Sequence, residues 1–132
     1  MRILYIDIDC CRADHVGING YGRDTTPNLD AVARDGISFR NCHTPNSPCL
    51  PSRAALFTGR FGFNNGIVSH HGPGERIRPN ALSHAQDPDK PFFVWHLWRS
   101  GMRTVAFSSF HDRHSAWWWS AGWEEIHTNR KG

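Results

Sequence analysis

The segment Cys49-Leu50-Pro51-Ser52-Arg53-Ala54-Ala55-Leu56-Phe57-Thr58-Gly59-Arg60 constrains this chain more than any other. It reads as a loop that ends on a thiol and runs directly into a helix. Pro51 suits the first helical position, where its missing N–H leaves no hydrogen bond unmade and its fixed φ is already helical. Ala54, Ala55 and Leu56 favour the helix, and Gly59 is placed to stop it. Cys49 therefore precedes a helix N-terminus, where unpaired N–H groups and the macrodipole favour negative charge. Arg53 follows about one turn later, within reach of the same point. A small nucleophile facing an anion-attracting helix end suits chemistry on sulfate or phosphate esters. The competing interpretation is a buried packing Cys beside a surface Arg, because unpaired Cys is among the most buried residue types.

Composition narrows the classes further. The 132 residues suffice for one small domain with a core, and 39% hydrophobic against 20% charged residues marks a globular chain. A net charge of +3 without any Lys/Arg run argues against nucleic acid as a partner. No apolar run approaches the length needed to span a bilayer, so no membrane association is expected. The nine histidines would add positive charge in mild acid. Four cysteines could form two disulfides, but Cys10 and Cys11 are adjacent and no secretory segment precedes them. Reduced thiols in a cytoplasmic setting are the expectation. No Cys or His spacing fits a structural zinc site.

Along the chain, Arg2 to Ile8 is a short apolar run rich in β-branched residues, and it predicts a buried strand of a parallel-rich sheet. Asp7 and Asp9 share one face of that strand by the period of two. Asp9 stands at its carboxyl end, where open α/β sheets gather ligands. Gly17 to Asp24 reads as a loop. Thr26 as N-cap, Pro27 at the first position and the spacing of Leu29, Val32 and Ala33 predict a helix through Asp35. Ile37 to Cys42 alternates as a strand, and Thr44 to Pro48 is the loop that delivers Cys49. A Gly/Asn-rich turn follows at 61–68, then His70 and His71, then an irregular stretch from Glu75 to Lys90. Pro91 to Ser100 predicts a helix with Phe92, Trp95 and Trp98 packed as a stripe, and Met102 to Phe107 another strand. Trp117, Trp118, Trp119 and Trp123 form a dense aromatic group suited to core packing or to a sugar- or aryl-binding wall.

Taken together, several of these strings resemble the sulfatase family. Cys-x-Pro-Ser-Arg followed by Leu-x-Thr-Gly-Arg fills every position of that family's signature at Cys49, Pro51, Ser52, Arg53, Leu56, Thr58, Gly59 and Arg60. Asp9-Cys10-Cys11-Arg12-Ala13-Asp14-His15 is similar to the family's N-terminal motif, with Cys10 where a second acid is common. Thr26-Pro27-Asn28-Leu29-Asp30, Asn65-Gly66 and the Gly101 to Phe107 strand followed by His111 also match.

The resemblance implies an α/β fold of the alkaline phosphatase-like type, a mixed, mostly parallel sheet flanked by helices, incomplete here. On that view residues 1–132 are the N-terminal part of a sulfatase catalytic domain whose remainder is missing. It implies hydrolysis of a sulfate monoester, in a small-molecule or carbohydrate ester, through a formylglycine made from Cys49 by a formylglycine-generating enzyme. It also implies a divalent cation, Ca²⁺ with Mn²⁺ or Mg²⁺ as alternatives, held by Asp9 and the modified Cys49. Arg53 and His111 take catalytic roles, and His70 and His71 lie in a loop that borders the substrate. Ser109 stands where the family's sulfate-clamping Lys would be, with Arg113 the nearby substitute. Two alternatives accompany this expectation: a phosphonate monoester or phosphodiester hydrolase of the same superfamily, and a truncated, non-catalytic product.

Overall fold

The computed structural model describes residues 1–70 and 92–128. Its backbone forms two compact units, Met1–His43 and Thr44–Gly132. Among the described residues no helix is long and apolar enough to cross a membrane.

Met1–His43 is built around helix α1, Pro27–Arg34, preceded by single 3₁₀ turns at Ala13–His15 and Gly17–Asn19. Thr26 and Pro27 occupy the N-cap and first helical positions as their chemistry predicts, and the helix stops one residue short of the expected Asp35, which caps it. Asp30 is buried, and its carboxylate is supplied with donors there. It accepts the Ile18 N–H at 2.8 Å and the Thr26 hydroxyl at 3.2 Å. Thr26 Oγ1 in turn accepts the Gly17 N–H at 2.9 Å, so one carboxylate and one hydroxyl tie the turn to the start of the helix.

Neither strand expected in this unit forms. Arg2 to Ile8 and Ile37 to Cys42 are irregular, and their apolar side chains face outward: Leu4 is 84% exposed and Ile37 82%. A strand is defined by the ladder it shares, and a β-rich run with no neighbouring strand leaves that ladder unmade. The apolar run of the first segment and the alternation of the second signal a capacity for pairing that the described residues do not use.

Thr44–Gly132 carries the core. Helix α2 spans Cys49–Thr58, α3 Gly62–Asn65 and α4 Phe93–Arg99. Strand β1 covers Val105–Phe107, α5 Phe110–His114, and β2 Glu125–His127, with a 3₁₀ turn at Trp117–Ser120 between the last two. β1 and β2 pair in parallel, with Val105 opposite Glu125 and Phe107 opposite His127. β2 had no sequence signal; three residues are too few for a period to show.

α2 begins two residues earlier than its Pro suggested. Cys49 is its first residue, Pro48 its N-cap after a cis Ser47–Pro48 bond, and the Ser52 N–H donates to Pro48 O at 3.1 Å. Pro51 is tolerated at the third position because the first four helical N–H groups lack intrahelical acceptors anyway. The stop is as expected: Gly59 takes a left-handed conformation, φ 64°.

Leu50, Ala54 and Phe57 project from α2 at helical spacing into a core completed by Ile67, Phe92, Val94, Ala106, Phe110, Ala116, Trp118 and Trp119. Phe57 is the hub, with ring centroids 4.8 Å from Phe93, 5.9 Å from Trp119 and 6.4 Å from Trp118. The expected aromatic stripe on α4 is only partly buried. Phe92 is inside, Trp98 is 41% exposed, and Val94 is the fully buried residue of that helix.

β2 is set by its approach. Thr104 donates its hydroxyl to Gly122 O at 2.6 Å, and its carbonyl accepts the Glu124 N–H at 3.0 Å. Gly122 has φ 89°, and a Cβ there would lie 2.4 Å from the backbone N of Trp95. Backbone, unlike a long side chain, cannot give way. Gly122→Ala is therefore expected to lower unfolding free energy by at least about 1–3 kcal/mol, read from urea denaturation; a neutral result would contradict this packing.

Candidate active site

The thiol expected to carry the chemistry stands at the first turn of α2, half-buried. His70 comes to it from the turn after α3. Its Nε2 lies 3.1 Å from Cys49 Sγ and also accepts the Leu50 N–H at 3.1 Å. The imidazole thus satisfies one of the otherwise unpaired N–H groups of the helix start.

Asn65 explains how His70 arrives. It is buried, and its amide donates to Arg60 O at 3.1 Å and to Thr58 Oγ1 at 3.3 Å while its oxygen accepts the Ile67 N–H at 2.8 Å. These bonds pin the chain to the C-terminal end of α2, and five residues later His70 is at the N-terminal end. The return runs alongside the helix with Ile67 sunk in the core. The Asn65-Gly66 pair was legible as a turn; its anchoring of His70 was not.

Arg53, one turn into α2, places its guanidinium 4.9 Å above the ring of Phe110, a cation–π arrangement that draws it toward α5. On α5, His114 stands edge-on to His70 with ring centroids 4.9 Å apart and packs on Phe110 at 4.8 Å. Phe110 and His114 share a face by their spacing of four. His111 is buried, stacked parallel on Trp119 at 5.8 Å, with Nε2 3.2 Å from Asp112 Oδ1. Arg113 projects from α5 as an exposed side chain. The structure therefore brings Cys49 and His70 together and seats Arg53 against the helix that bears His111 and Arg113. His71 lies outside the described residues. His114, which sequence spacing gave no functional reason to favour, packs against His70.

The other motif residues belong to Met1–His43. Asp9 is exposed, and Cys10, at φ 57°, directs its thiol to Asp9 Oδ1 at 3.8 Å. Arg12 hydrogen-bonds both carboxylate oxygens of Asp14, at 3.0 and 2.6 Å, and His15 Nδ1 lies 2.9 Å from Oδ1. The Arg12 hydrogen bonds, then the one from His15, hold the Asp14 carboxyl well below the usual carboxylate range. A depressed folded value means that any stabilisation is present above the ordinary value of 3.8 and is lost as pH falls through the lowered one. The pair is exposed, so its effect on stability is small. Arg12→Ala should move the Asp14 titration up toward 3.8, as followed by NMR of the carboxyl carbon.

A hard cation such as Ca²⁺ takes about 6–8 oxygen ligands. Among the described residues no group of three or more His, Cys, Asp or Glu side chains could hold a metal ion. Asp9 alone falls short of such a set.

A thiol thus stands on a helix start with an imidazole in contact and an arginine one turn on. Comparison with known proteins makes this specific. The sulfatase family model matches residues 2–122. The chain belongs to the sulfatase family, and its helices and parallel strand pair are part of that family's alkaline phosphatase-like α/β fold.

It is 33% identical over 112 residues to human N-acetylgalactosamine-6-sulfatase, covering 73% of this chain and 22% of the relative. It is 29% identical over 123 residues to an ulvan-active sulfatase of Formosa agariphila, covering 91% and 24%. Over 66 residues it is 43% identical to arylsulfatase A of Bos taurus, covering 50% and 13%. The chain thus spans no more than 24% of the length of these relatives. No solved structure matches it.

Proposed function

We propose that this chain carries the nucleophile end of a sulfatase that hydrolyses sulfate monoesters, of a small molecule or a carbohydrate, after Cys49 is converted to formylglycine by a formylglycine-generating enzyme. The observation that carries the reading is the contact of Cys49 with His70 at the first turn of α2, within the signature that ends at Arg60. The aldehyde at position 49 supplies, as its hydrate, a hydroxyl that attacks sulfur while the S–O bond to the alcohol breaks and the alcohol leaves, and a second hydroxyl whose proton is lost as the carbonyl re-forms and sulfate departs.

This chain's own residues supply the rest. The positive end of the α2 dipole and Arg53 stabilise negative charge growing on the sulfate oxygens. His111 accepts the proton released as the carbonyl re-forms. His71 and Arg113 contact the ester, Arg113 in place of a lysine clamp. Asp9 contributes one oxygen ligand to a divalent cation, Ca²⁺ or else Mn²⁺ or Mg²⁺.

Cys10, standing where a second acidic ligand is common, favours one rival: a phosphonate monoester or phosphodiester hydrolase using the same nucleophile. The test is turnover of an aryl sulfate against an aryl phosphonate ester by protein co-expressed with the converting enzyme, with the mass of residue 49 measured in parallel. Faster sulfate turnover by protein carrying the aldehyde is expected. An unmodified thiol, or a preference for the phosphonate, would displace this reading.

A further inference from the structure

His70 approaches α2 from 21 residues away in sequence, and one of its ring nitrogens meets two groups at once. The Leu50 N–H lies 3.1 Å from Nε2, and Cys49 Sγ lies 3.1 Å from the same atom. A backbone N–H can only donate, so Nε2 presents its lone pair and the ring proton sits on Nδ1. A hydrogen on Nε2 would point at the Leu50 hydrogen and strip that N–H of its acceptor. The helix start therefore sets the tautomer, and a side chain at position 49 can meet Nε2 only as a donor.

His114 is the second part of the arrangement. Its ring is turned 70° from that of His70 at 4.9 Å, and it rests on Phe110 at 4.8 Å. Phe110 is a core residue and also lies beneath the Arg53 guanidinium. One buried ring thus backs both Arg53 and, through His114, the imidazole that touches position 49.

We propose that His70 is a positioning residue for the nucleophile: Nε2 accepts a hydrogen bond from the donor at position 49, and His114 keeps the imidazole turned toward it. Its catalytic consequence rests on the sulfatase reading above. In the unconverted chain the donor is the thiol; after conversion it is a hydroxyl of the hydrate. With that bond made, the side chain is confined to one of its staggered rotamers. Without it, the nucleophile samples the others.

Two measurements test this. NMR of isotope-labelled imidazole nitrogens in the unconverted chain should show His70 protonated on Nδ1. That tautomer should persist in His114→Phe and give way to a mixture in His114→Ala. A wild-type ring protonated on Nε2, or no response to His114→Ala, overturns the proposal. In the converted enzyme, His70→Phe should lower kcat on the order of 100-fold with KM retained, the scale expected when a reacting group is displaced by about 1 Å. His70→Gln, which restores an acceptor oxygen, should recover part of the loss. A change confined to KM overturns the proposal by making His70 a substrate contact. Should wild-type protein with a confirmed aldehyde leave sulfate esters intact while His70 keeps its tautomer, the functional reading fails and the contact stands.

Discussion

Cys49→Ala is expected to abolish sulfate ester turnover, with kcat falling by about 10⁴-fold or more, the scale of loss when a covalent nucleophile is removed. The substitution deletes one sulfur at the first turn of α2 and leaves Arg53 and the helix N–H groups in place. Anion affinity should therefore survive, so that inactive protein still binds sulfate or a substrate analogue. Because Cys49 is half-buried, and Leu50 N–H still holds His70, the thermal midpoint should move little. Loss of kcat with folding and anion binding retained separates a reacting group from a packing one. A Cys49→Ala protein with full activity would end the assignment, whatever the family membership.

Phe57→Ala is expected to cost about 3–5 kcal/mol of unfolding free energy, the usual range for a buried aromatic cut to Ala. Four aromatic rings surround Phe57, those of Phe93, Trp118, Trp119 and Trp123. They belong to three different parts of the chain: α4, the Trp-rich 3₁₀ turn and the approach to β2. Rings held by separate elements cannot all collapse inward, so a cavity remains and its cost adds to the lost burial. A loss this large approaches the whole stability of many domains, about 5–15 kcal/mol. Urea denaturation measures it directly. Any drop in activity should follow the folded fraction, since Phe57 does not touch the thiol. A loss under about 1 kcal/mol would mean the core is not organised around this ring.

The parts of the fold legible beforehand were those whose cause is local. Pro27 and Thr26 mark the start of α1 because their effects act within one turn, and Gly59 stops α2 because only its own φ has to change. Pro51 misled by two residues: a proline fits any of the first positions, so it marks the first turn and not its first residue. The runs at Arg2 to Ile8 and Ile37 to Cys42 misled further. Their apolar and β-branched character records a capacity for pairing, and pairing needs a neighbour that a single segment cannot supply. β2 was invisible for the opposite reason. Glu125–His127 has little strand character of its own and is extended because Thr104 and Gly122 steer it against β1.

The candidate site divides the same way. The Cys49 to Arg60 string was enough to settle the family, the helix with Arg53 one turn from the thiol, and the chemistry to be tested, because all of these depend on residues a few positions apart. Tertiary structure alone decided that His70 is the imidazole in contact with Cys49, that His114 backs it, and that His111 is stacked on Trp119 beside Asp112. The first two of those contacts join segments distant in sequence, and they are set by how Asn65 folds the chain back along α2 and how Phe110 seats α5 in the core. Short-range covalent geometry carries the first kind of information. The second exists only once apolar surface has been buried and distant segments share a wall.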